Sequence, residues 1–187
     1  GLGIPELREA IARHQRRWYA SELNSDTDIL VTAGATEAIA AAMLALINPG
    51  DEVVVFEPLY DSYAATIAMA QGRRKVVTLR APDYAFSAEE LRAAVTNRTK
   101  LILLNTPHNP TGKVFSRAEL ELIAQVAREH DLLVVTDEVY EHLVFSGVHI
   151  PIASLPGMRD RTLVISSEGK TFSCTGWKIG WVCGPAG

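Results

Sequence analysis

The chain has 187 residues, with 22 acidic and 18 basic side chains and a formal net charge of −4. A content of 48% hydrophobic and 21% charged residues is typical of a folded globular domain and excludes an intrinsically disordered chain. The mild acidity, with no basic run longer than Arg73-Arg74-Lys75, argues against nucleic acid or a membrane surface as a partner. The longest apolar stretch, residues 38–47, is too short for a transmembrane helix.

Cysteine content and the chain ends indicate the setting of the protein. The only two cysteines are Cys174 and Cys183, so we expect no disulfide framework and a reducing, cytoplasmic location. No charged leader with an apolar core opens the sequence, and export is not indicated. Because the chain begins at Gly1 and stops at Gly187 after an apolar run, we expect it to be a piece of a longer protein.

Helical and extended segments alternate along the whole chain. Pro5 suits the first turn of a helix, and the pairs Ser87–Glu90 and Ser116–Glu119 predict capping boxes for two later helices. In chain order, the predicted elements are helix 5–19, strand 29–32, helix 36–47, strand 52–56, helix 61–71, strand 75–79, a helix capped at 87 and ending near 95, strand 100–104, a helix capped at 116 and ending near 130, and strands 132–136, 162–165 and 181–183.

The strand pattern predicts the fold class. Most of the seven strands are continuous apolar runs, which is expected when both faces of a parallel sheet are covered. Helices between the strands would supply right-handed crossovers. The prediction is therefore an α/β fold, a three-layer αβα sandwich with a seven-stranded, mostly parallel sheet. Sheets of this kind bind ligands beyond the carboxyl ends of their strands, so the residues that follow each strand are the candidates for function.

Two of these strand ends offer an anion site and aromatic rings. The turn Gly34-Ala35-Thr36 leads directly into a helix, where backbone N–H groups and the helix dipole favour a phosphate. Taken alone, a tight turn with Thr36 as N-cap is the preferred interpretation, and no dinucleotide or P-loop motif is present. After the second strand, Tyr60 and Tyr63 could stack on a flat ligand or simply pack.

Three further strand ends offer amides, a carboxylate and an amine. Asn105 and Asn109 lie in a loop that prolines make rigid. Asp137 ends an apolar run, and a carboxylate at this buried margin needs a cationic or hydrogen-bonding partner. The alternative is that Asp137 is the N-cap of a helix. Lys170 by itself is weak evidence, since most lysines are solvated. Together with the anion-binding turn and the aromatics, these groups suit an anionic aromatic cofactor.

The strand ends resemble those of the fold-type I pyridoxal-phosphate enzymes, specifically the class I/II aminotransferases. The resemblance extends over essentially the whole chain, in the family's order and approximate spacing. It implies that residues 1–187 are the pyridoxal-phosphate-binding large domain of a homodimeric enzyme that acts on amino acids and 2-oxo acids. The matching segments are GATEA (34–38), NTPHNPTG (105–112), DEVY (137–140) and SEGK through TGWKIG (167–180).

The resemblance implies a role for each residue around the cofactor ring. Lys170 would form the Schiff base with the cofactor aldehyde and then move protons between the substrate Cα and the cofactor C4′ carbon. Asp137 would keep the pyridine nitrogen protonated, which makes the ring an electron sink. Asn109 and Tyr140 would donate hydrogen bonds to the phenolic oxygen, and Tyr60 would stack on the ring.

The resemblance also implies a phosphate site. The backbone amides of Ala35 and Thr36, the hydroxyl of Ser167 and the amine of Lys178 would hold the phosphate. Family members often carry an arginine at the position of Lys178, so the contact here would be a point charge rather than a fork. Asn105 would buttress the loop that positions Asn109.

Several family features are expected outside residues 1–187. The family completes its site with a tyrosine of the partner subunit, from a segment that would precede Gly1, and with an arginine of a C-terminal small domain that binds the substrate carboxylate. We therefore expect this segment to bind the cofactor more readily than it turns over substrate. Glu168 stands where relatives commonly carry a small or apolar residue, and it would face away from the ring if Lys170 faces towards it.

The resemblance leaves the activity within the family open. The segment 174–181 is most similar to kynurenine, glutamine and methionine aminotransferases and to actinobacterial N-succinyldiaminopimelate aminotransferases. The alternatives are a β-lyase that acts on cysteine conjugates and a non-catalytic sensor domain of a transcription regulator. No metal site is predicted, because the five histidines lack HExxH spacing and His142 and His149 lie in a polar connection. No Gly-x-Ser-x-Gly elbow indicates a hydrolase.

Overall fold

A computed structural model describes residues 1–186, which form a seven-stranded sheet between two layers of helices. The predicted three-layer αβα architecture is confirmed. The helices are α1 (Pro5–Tyr19), α2 (Ala35–Leu46), α3 (Asp61–Met69), α4 (Ala88–Ala93), α5 (Arg117–Glu129) and α6 (Glu168–Thr171). The strands are β1 (Ile29–Thr32), β2 (Glu52–Glu57), β3 (Arg73–Thr78), β4 (Thr99–Asn105), β5 (Leu133–Asp137), β6 (Thr162–Ser167) and β7 (Gly180–Cys183).

The strand order brings the chemically interesting strand ends to one edge of the sheet. The order is β1-β7-β6-β5-β4-β2-β3, in which β7 runs antiparallel to both of its neighbours and all other neighbouring strands are parallel. Asn105 pairs with Asp137, and Asp137 pairs with Ile165. Ser167 pairs with Gly180, where β7 begins. The ends of β4, β5 and β6 and the start of β7 therefore lie side by side, at what we call the carboxyl edge.

Helices cover both faces of the sheet. The cluster of α2 and α3 with the sheet defines the α2–α3 face, and its largest buried members are Ile39, Met43 and Ile67. Helices α1, α4 and α5 cover the opposite face, the α1–α5 face, through residues such as Ile11, Leu91 and Ile123. Strands β2, β4 and β5 are buried along almost their whole length, as their continuous apolar runs predict. No helix within residues 1–186 is both long and apolar enough to cross a membrane.

The N-caps of two helices differ from the sequence prediction. The Ser116–Glu119 capping box is present. At α4, Ser87 accepts from the backbone N–H of Glu90 at 3.0 Å, but the Glu90 carboxylate does not return to Ser87. It accepts from the backbone N–H of Thr78 at 3.2 Å and from the Arg80 guanidinium at 2.7 Å, so it ties α4 to the end of β3.

The second difference lies at the start of α2. The N-cap is Gly34, with φ 84° and ψ 166°, and Thr36 is the second residue of the helix rather than its cap. This φ is open to glycine and strained for other residues. No side chain caps the helix, so its first backbone N–H groups are free to meet a ligand.

A substitution at Gly180 tests the close approach of β7 to the start of α2. A Cβ at Gly180 would overlap the backbone of Gly34 and lie 2.5 Å from the amide nitrogen of Ala35. We expect Gly180→Ala to lower the free energy of unfolding by about 2 kcal/mol or more in urea titrations, because backbone atoms must separate. Gly176→Ala is the control, since no atom lies within 4 Å of its Cβ position. Equal stability of the two variants would contradict the predicted overlap.

Candidate active site

One cavity opens at the carboxyl edge on the α2–α3 face, with a volume of about 480 Å³. Its walls come from the turn before α2, the start of α3, the loop after β4, the turn after β5 and the segment around α6. The structure brings all nine site residues named from the sequence to this cavity, and their individual roles stay a prediction. They are Ala35, Thr36, Tyr60, Asn109, Asp137, Tyr140, Ser167, Lys170 and Lys178.

Asp137 is the buried acid of the cavity. It ends β5 with 4% of its surface exposed. One carboxylate oxygen accepts from the Tyr63 hydroxyl at 2.6 Å, and the other accepts from the backbone N–H of Val139 at 3.2 Å. Burial raises the pKa of the Asp137 carboxyl to about 6, although both hydrogen bonds lower it. The bond to Val139 closes a turn and no helix begins at Asp137, so helix capping does not explain this residue.

Sequence reasoning missed the role of Tyr63. It considered Tyr63 only as an aromatic ring, whereas its hydroxyl reaches Asp137, 74 residues away in the chain. Tyr63 is buried in the first turn of α3, and burial raises the pKa of its phenol. The ring of Tyr60 is partly exposed and meets Tyr63 edge-to-face at a centroid distance of 5.6 Å. The available sequence signal was the spacing of three residues between Tyr60 and Tyr63 at the start of a helix. Residues with this spacing lie on the same helix face, so the two tyrosines could be expected to contact each other.

Asn105 holds the loop after β4 in place, as predicted. Its side-chain amide nitrogen donates to the Asp137 carbonyl at 2.9 Å and to the Pro107 carbonyl at 3.2 Å. Its amide oxygen accepts from the backbone N–H of Asn109 at 2.7 Å. This buried side chain therefore fixes Asn109 relative to the strand end that carries Asp137.

Lys170 supplies the amine of the cavity. It lies on α6, directly after β6, and is exposed towards the cavity. Its Nζ lies 5.7 Å from the centroid of the Tyr140 ring, within cation–π range. The Thr175 hydroxyl donates to the Gly169 carbonyl at 2.9 Å, which ties α6 to the segment that leads to Lys178.

The other end of the cavity suits an anion. The uncapped N-terminus of α2, at Ala35 and Thr36, lies in the same wall as Ser167 and Lys178. The Lys178 backbone is left-handed, with φ 56° and ψ 44°. Free N–H groups, a helix dipole, a hydroxyl and an ammonium group together favour a phosphate.

Comparison with known proteins places the chain in a family. The family described as "Aminotransferase class I and II" matches residues 2–186. The chain belongs to this family. Its members depend on pyridoxal phosphate, and the fold is that of fold-type I pyridoxal-phosphate enzymes.

The relatives of this aminotransferase-family chain are longer than the chain itself. The probable N-succinyldiaminopimelate aminotransferase of Mycobacterium tuberculosis is 53% identical over 190 residues, which cover 100% of this chain and 48% of that protein. The methionine aminotransferase of Escherichia coli is 44% identical over 185 residues, which cover 98% of this chain and 48% of that protein. The solved structure of the N-succinyldiaminopimelate aminotransferase from M. tuberculosis superposes with a TM-score of 0.96 at 52% identity, over 99% of this chain and 49% of that one. The chain thus spans about half the length of the curated relatives it matches.

The pKa of Asp137 makes a testable contribution to stability. Because its folded-state value of about 6 lies above the ordinary value of 3.8, the folded protein holds this proton more tightly than the unfolded chain. The stability contributed by Asp137 therefore falls as pH rises from about 4 through 6. Relative to the wild type, we expect Asp137→Asn in the cofactor-free protein to gain about 2 kcal/mol of unfolding free energy between about pH 4.5 and 7.5.

The measurement is urea unfolding at several pH values. Asp160→Asn, at an exposed site, is the control and should follow the wild type throughout. A constant difference between Asp137→Asn and the wild type over this pH range would show that the Asp137 carboxyl does not titrate there.

Proposed function

We propose that the chain is the pyridoxal-phosphate-binding large domain of an aminotransferase that transfers an amino group from an amino acid to a 2-oxo acid. The observation that carries this proposal is one cavity that combines a buried acid, a lysine amine and an uncapped helix N-terminus. Family membership supports the same chemistry.

The cavity fits the ring of the cofactor. Asp137 is a buried carboxyl, and burial raises its pKa to about 6 although the charge of Lys170 lowers it, so a closer cationic partner would stabilise its ionised form. A protonated pyridine nitrogen would supply that partner and favour the carboxylate form. Tyr60, whose ring is partly exposed in the cavity, would stack on the cofactor ring, and Asn109 and Tyr140 would donate hydrogen bonds to its phenolic oxygen.

The cavity also fits the phosphate. The backbone N–H groups of Ala35 and Thr36 would donate to its oxygens, because no side chain of the protein caps them. The Ser167 hydroxyl and the Lys178 ammonium group would complete the site. The close contact of Gly180 with the backbone of Gly34 and Ala35 supports this phosphate site, because it places the start of β7 directly beside the turn that precedes α2.

Each polar residue of the cavity would have a distinct role in the reaction. When bound, the cofactor withdraws electrons from the substrate Cα and carries the amino group between the two half-reactions. Lys170 is the proposed Schiff-base lysine, and its freed amine would move a proton between the substrate Cα and the cofactor C4′ carbon. Asp137 would hold the ring nitrogen in its protonated form. The Tyr63 hydroxyl orients the Asp137 carboxylate and favours its charged state, because it donates to an oxygen of that group.

The substrate, assembly and location are further parts of the proposal. The relative at 53% identity supports N-succinyldiaminopimelate as the first amino donor to test, and kynurenine and glutamine are the next candidates. We propose a cytoplasmic homodimer with small-molecule amino acid and 2-oxo acid substrates. Two free thiols, Cys174 and Cys183, are consistent with a reducing compartment.

The amino-transfer half-reaction of the whole protein tests the role of Asp137. Asp137→Asn should retain the cofactor but lose at least about 100-fold in the rate of the half-reaction, because the amide cannot keep the ring nitrogen protonated. Stopped-flow absorbance after mixing the loaded protein with amino donor gives this rate.

Asp160→Asn is the matched control and should retain the wild-type rate. An unchanged rate in Asp137→Asn would refute the proposed role. Product analysis then separates the two activities: formation of a new amino acid from the 2-oxo acid supports transamination. Release of pyruvate and ammonia from a cysteine conjugate, without that product, would favour the β-lyase alternative.

A further inference from the structure

We propose that the protein has a binding site for a transition-metal ion of the Zn²⁺ class on the α1–α5 face of the carboxyl edge. Its ligands are His14, Glu141 and His142. The site lies outside the cofactor cavity, and the inference does not depend on the proposed aminotransferase activity.

The fold brings the three ligands together from distant parts of the chain. His14 lies on α1, and Glu141 and His142 follow the turn after β5. One potential ligand atom from each residue lies within 4.8 Å of those of the other two. The Nε2 atoms of the two histidines, 128 residues apart in sequence, lie 2.7 Å apart. Trp18 packs edge-to-face on His142 at a centroid distance of 5.0 Å and so helps to orient that imidazole.

The position of Glu141 supplies an independent argument for a cation. Glu141 is 5% exposed, and one of its oxygens accepts from the Ser166 hydroxyl at 2.6 Å. Its other oxygen is buried without a well-aligned hydrogen bond, although the Tyr19 hydroxyl lies beside the carboxylate, and Glu141 takes part in no salt bridge within residues 1–186. A buried carboxylate without a cationic partner is unfavourable. A divalent cation at this position would satisfy it.

Two other polar atoms in the same place also lack partners. The Nδ1 atom of His14 is buried without a hydrogen bond among residues 1–186, and so is Oε1 of Glu168. Glu168 and the three ligands line one cavity of about 150 Å³, whereas Lys170 lines the cofactor cavity. Glu168 therefore faces away from Lys170 and adds a second carboxylate to the surroundings of the proposed site.

The ligand chemistry selects the class of metal. Two imidazoles and one carboxylate suit Zn²⁺, Co²⁺ and Ni²⁺, whereas Mg²⁺ and Ca²⁺ prefer oxygen ligands alone. With Zn–N bonds of about 2.0–2.1 Å, tetrahedral ligands require an N···N distance of roughly 3.3 Å. The two imidazoles therefore need to separate by roughly 0.6 Å, which the partly exposed His142 ring can accommodate.

The proposed site adjoins the cofactor cavity through the backbone. Glu141 directly follows Tyr140, which lines the cofactor cavity, and Ser167 lines both cavities. A bound ion would join α1 to the turn that carries Tyr140. Metal binding would then restrain that turn without contacting the cofactor.

Titration with Co²⁺ and Zn²⁺ tests the proposal on cofactor-loaded protein that has first been treated with chelator. We expect one equivalent of Co²⁺ to bind saturably, with the visible d–d absorption of a four- or five-coordinate complex recorded as a difference spectrum. Zn²⁺ should displace it. At a free Zn²⁺ concentration about 100-fold above its dissociation constant, the unfolding temperature should rise by roughly 5–10 °C.

Matched variants assign the ligands. His14→Gln, Glu141→Gln and His142→Gln should each weaken Co²⁺ binding at least about 10-fold and abolish the Zn²⁺-dependent thermal shift. His130→Gln, at an exposed histidine after α5, should bind like the wild type. His142→Gln changes a partly exposed side chain, so it keeps the test valid if a buried variant fails to fold. No saturable Co²⁺ spectrum in the wild type, or the same spectrum in the ligand variants, would overturn the proposal.

Discussion

The hydrogen bond between the Tyr63 hydroxyl and the Asp137 carboxylate, 2.6 Å long and buried beneath α2 and α3, is the contact on which the site depends. It joins the first turn of α3 to the end of β5. An acid at this depth is unfavourable as a free carboxylate, and its pKa of about 6 expresses that penalty. A positively charged ligand atom in the cavity would relieve the penalty. The burial that destabilises the Asp137 carboxylate in the absence of a ligand therefore favours the binding of a cationic ligand.

Alternation along β5 and β6 separates the chemistry of the two faces. Asp137 points to the α2–α3 face, whereas its neighbours Thr136 and Glu138 lie on the other side, where the Thr136 hydroxyl donates to Glu138 at 3.1 Å. Glu138 pairs with His149 at 2.7 Å, and although burial lowers the pKa of His149, the charge of Glu138 raises it overall. Ser166 donates to Glu141 on the same side. The end of the sheet thus carries two groups of polar residues, back to back.

Local signals in the sequence were sufficient for much of the fold and for the candidate site. Apolar runs predicted the strands, and residues directly after strand ends, such as Asn109, Asp137 and Lys170, could be assigned to one edge from topology alone. The partner of Glu90 could not be predicted in this way, because Thr78 and Arg80 reach it only after β3 and α4 pack together.

Contacts between distant segments account for what the sequence left open. The hydrogen bond of Tyr63 depends on how α3 packs on the sheet. The meeting of His14 with His142 depends on where α1 crosses the end of β5, and no spacing motif records it. The cap of α2 was misassigned for a local reason: Gly34 adopts a backbone conformation that makes it the N-cap, so the helix begins two residues earlier than a helix capped by Thr36 would.

The measurement that tests the site most directly is borohydride reduction after incubation with pyridoxal phosphate, followed by peptide mass spectrometry. If Lys170 lies opposite a ring held by Asp137 and a phosphate held by the start of α2, one reduced cofactor per chain should be attached at Lys170. Lys178, in the same cavity, and the exposed Lys100 should remain unmodified. Modification spread over surface lysines, or no saturable modification, would contradict an organised pyridoxal-phosphate site in this chain.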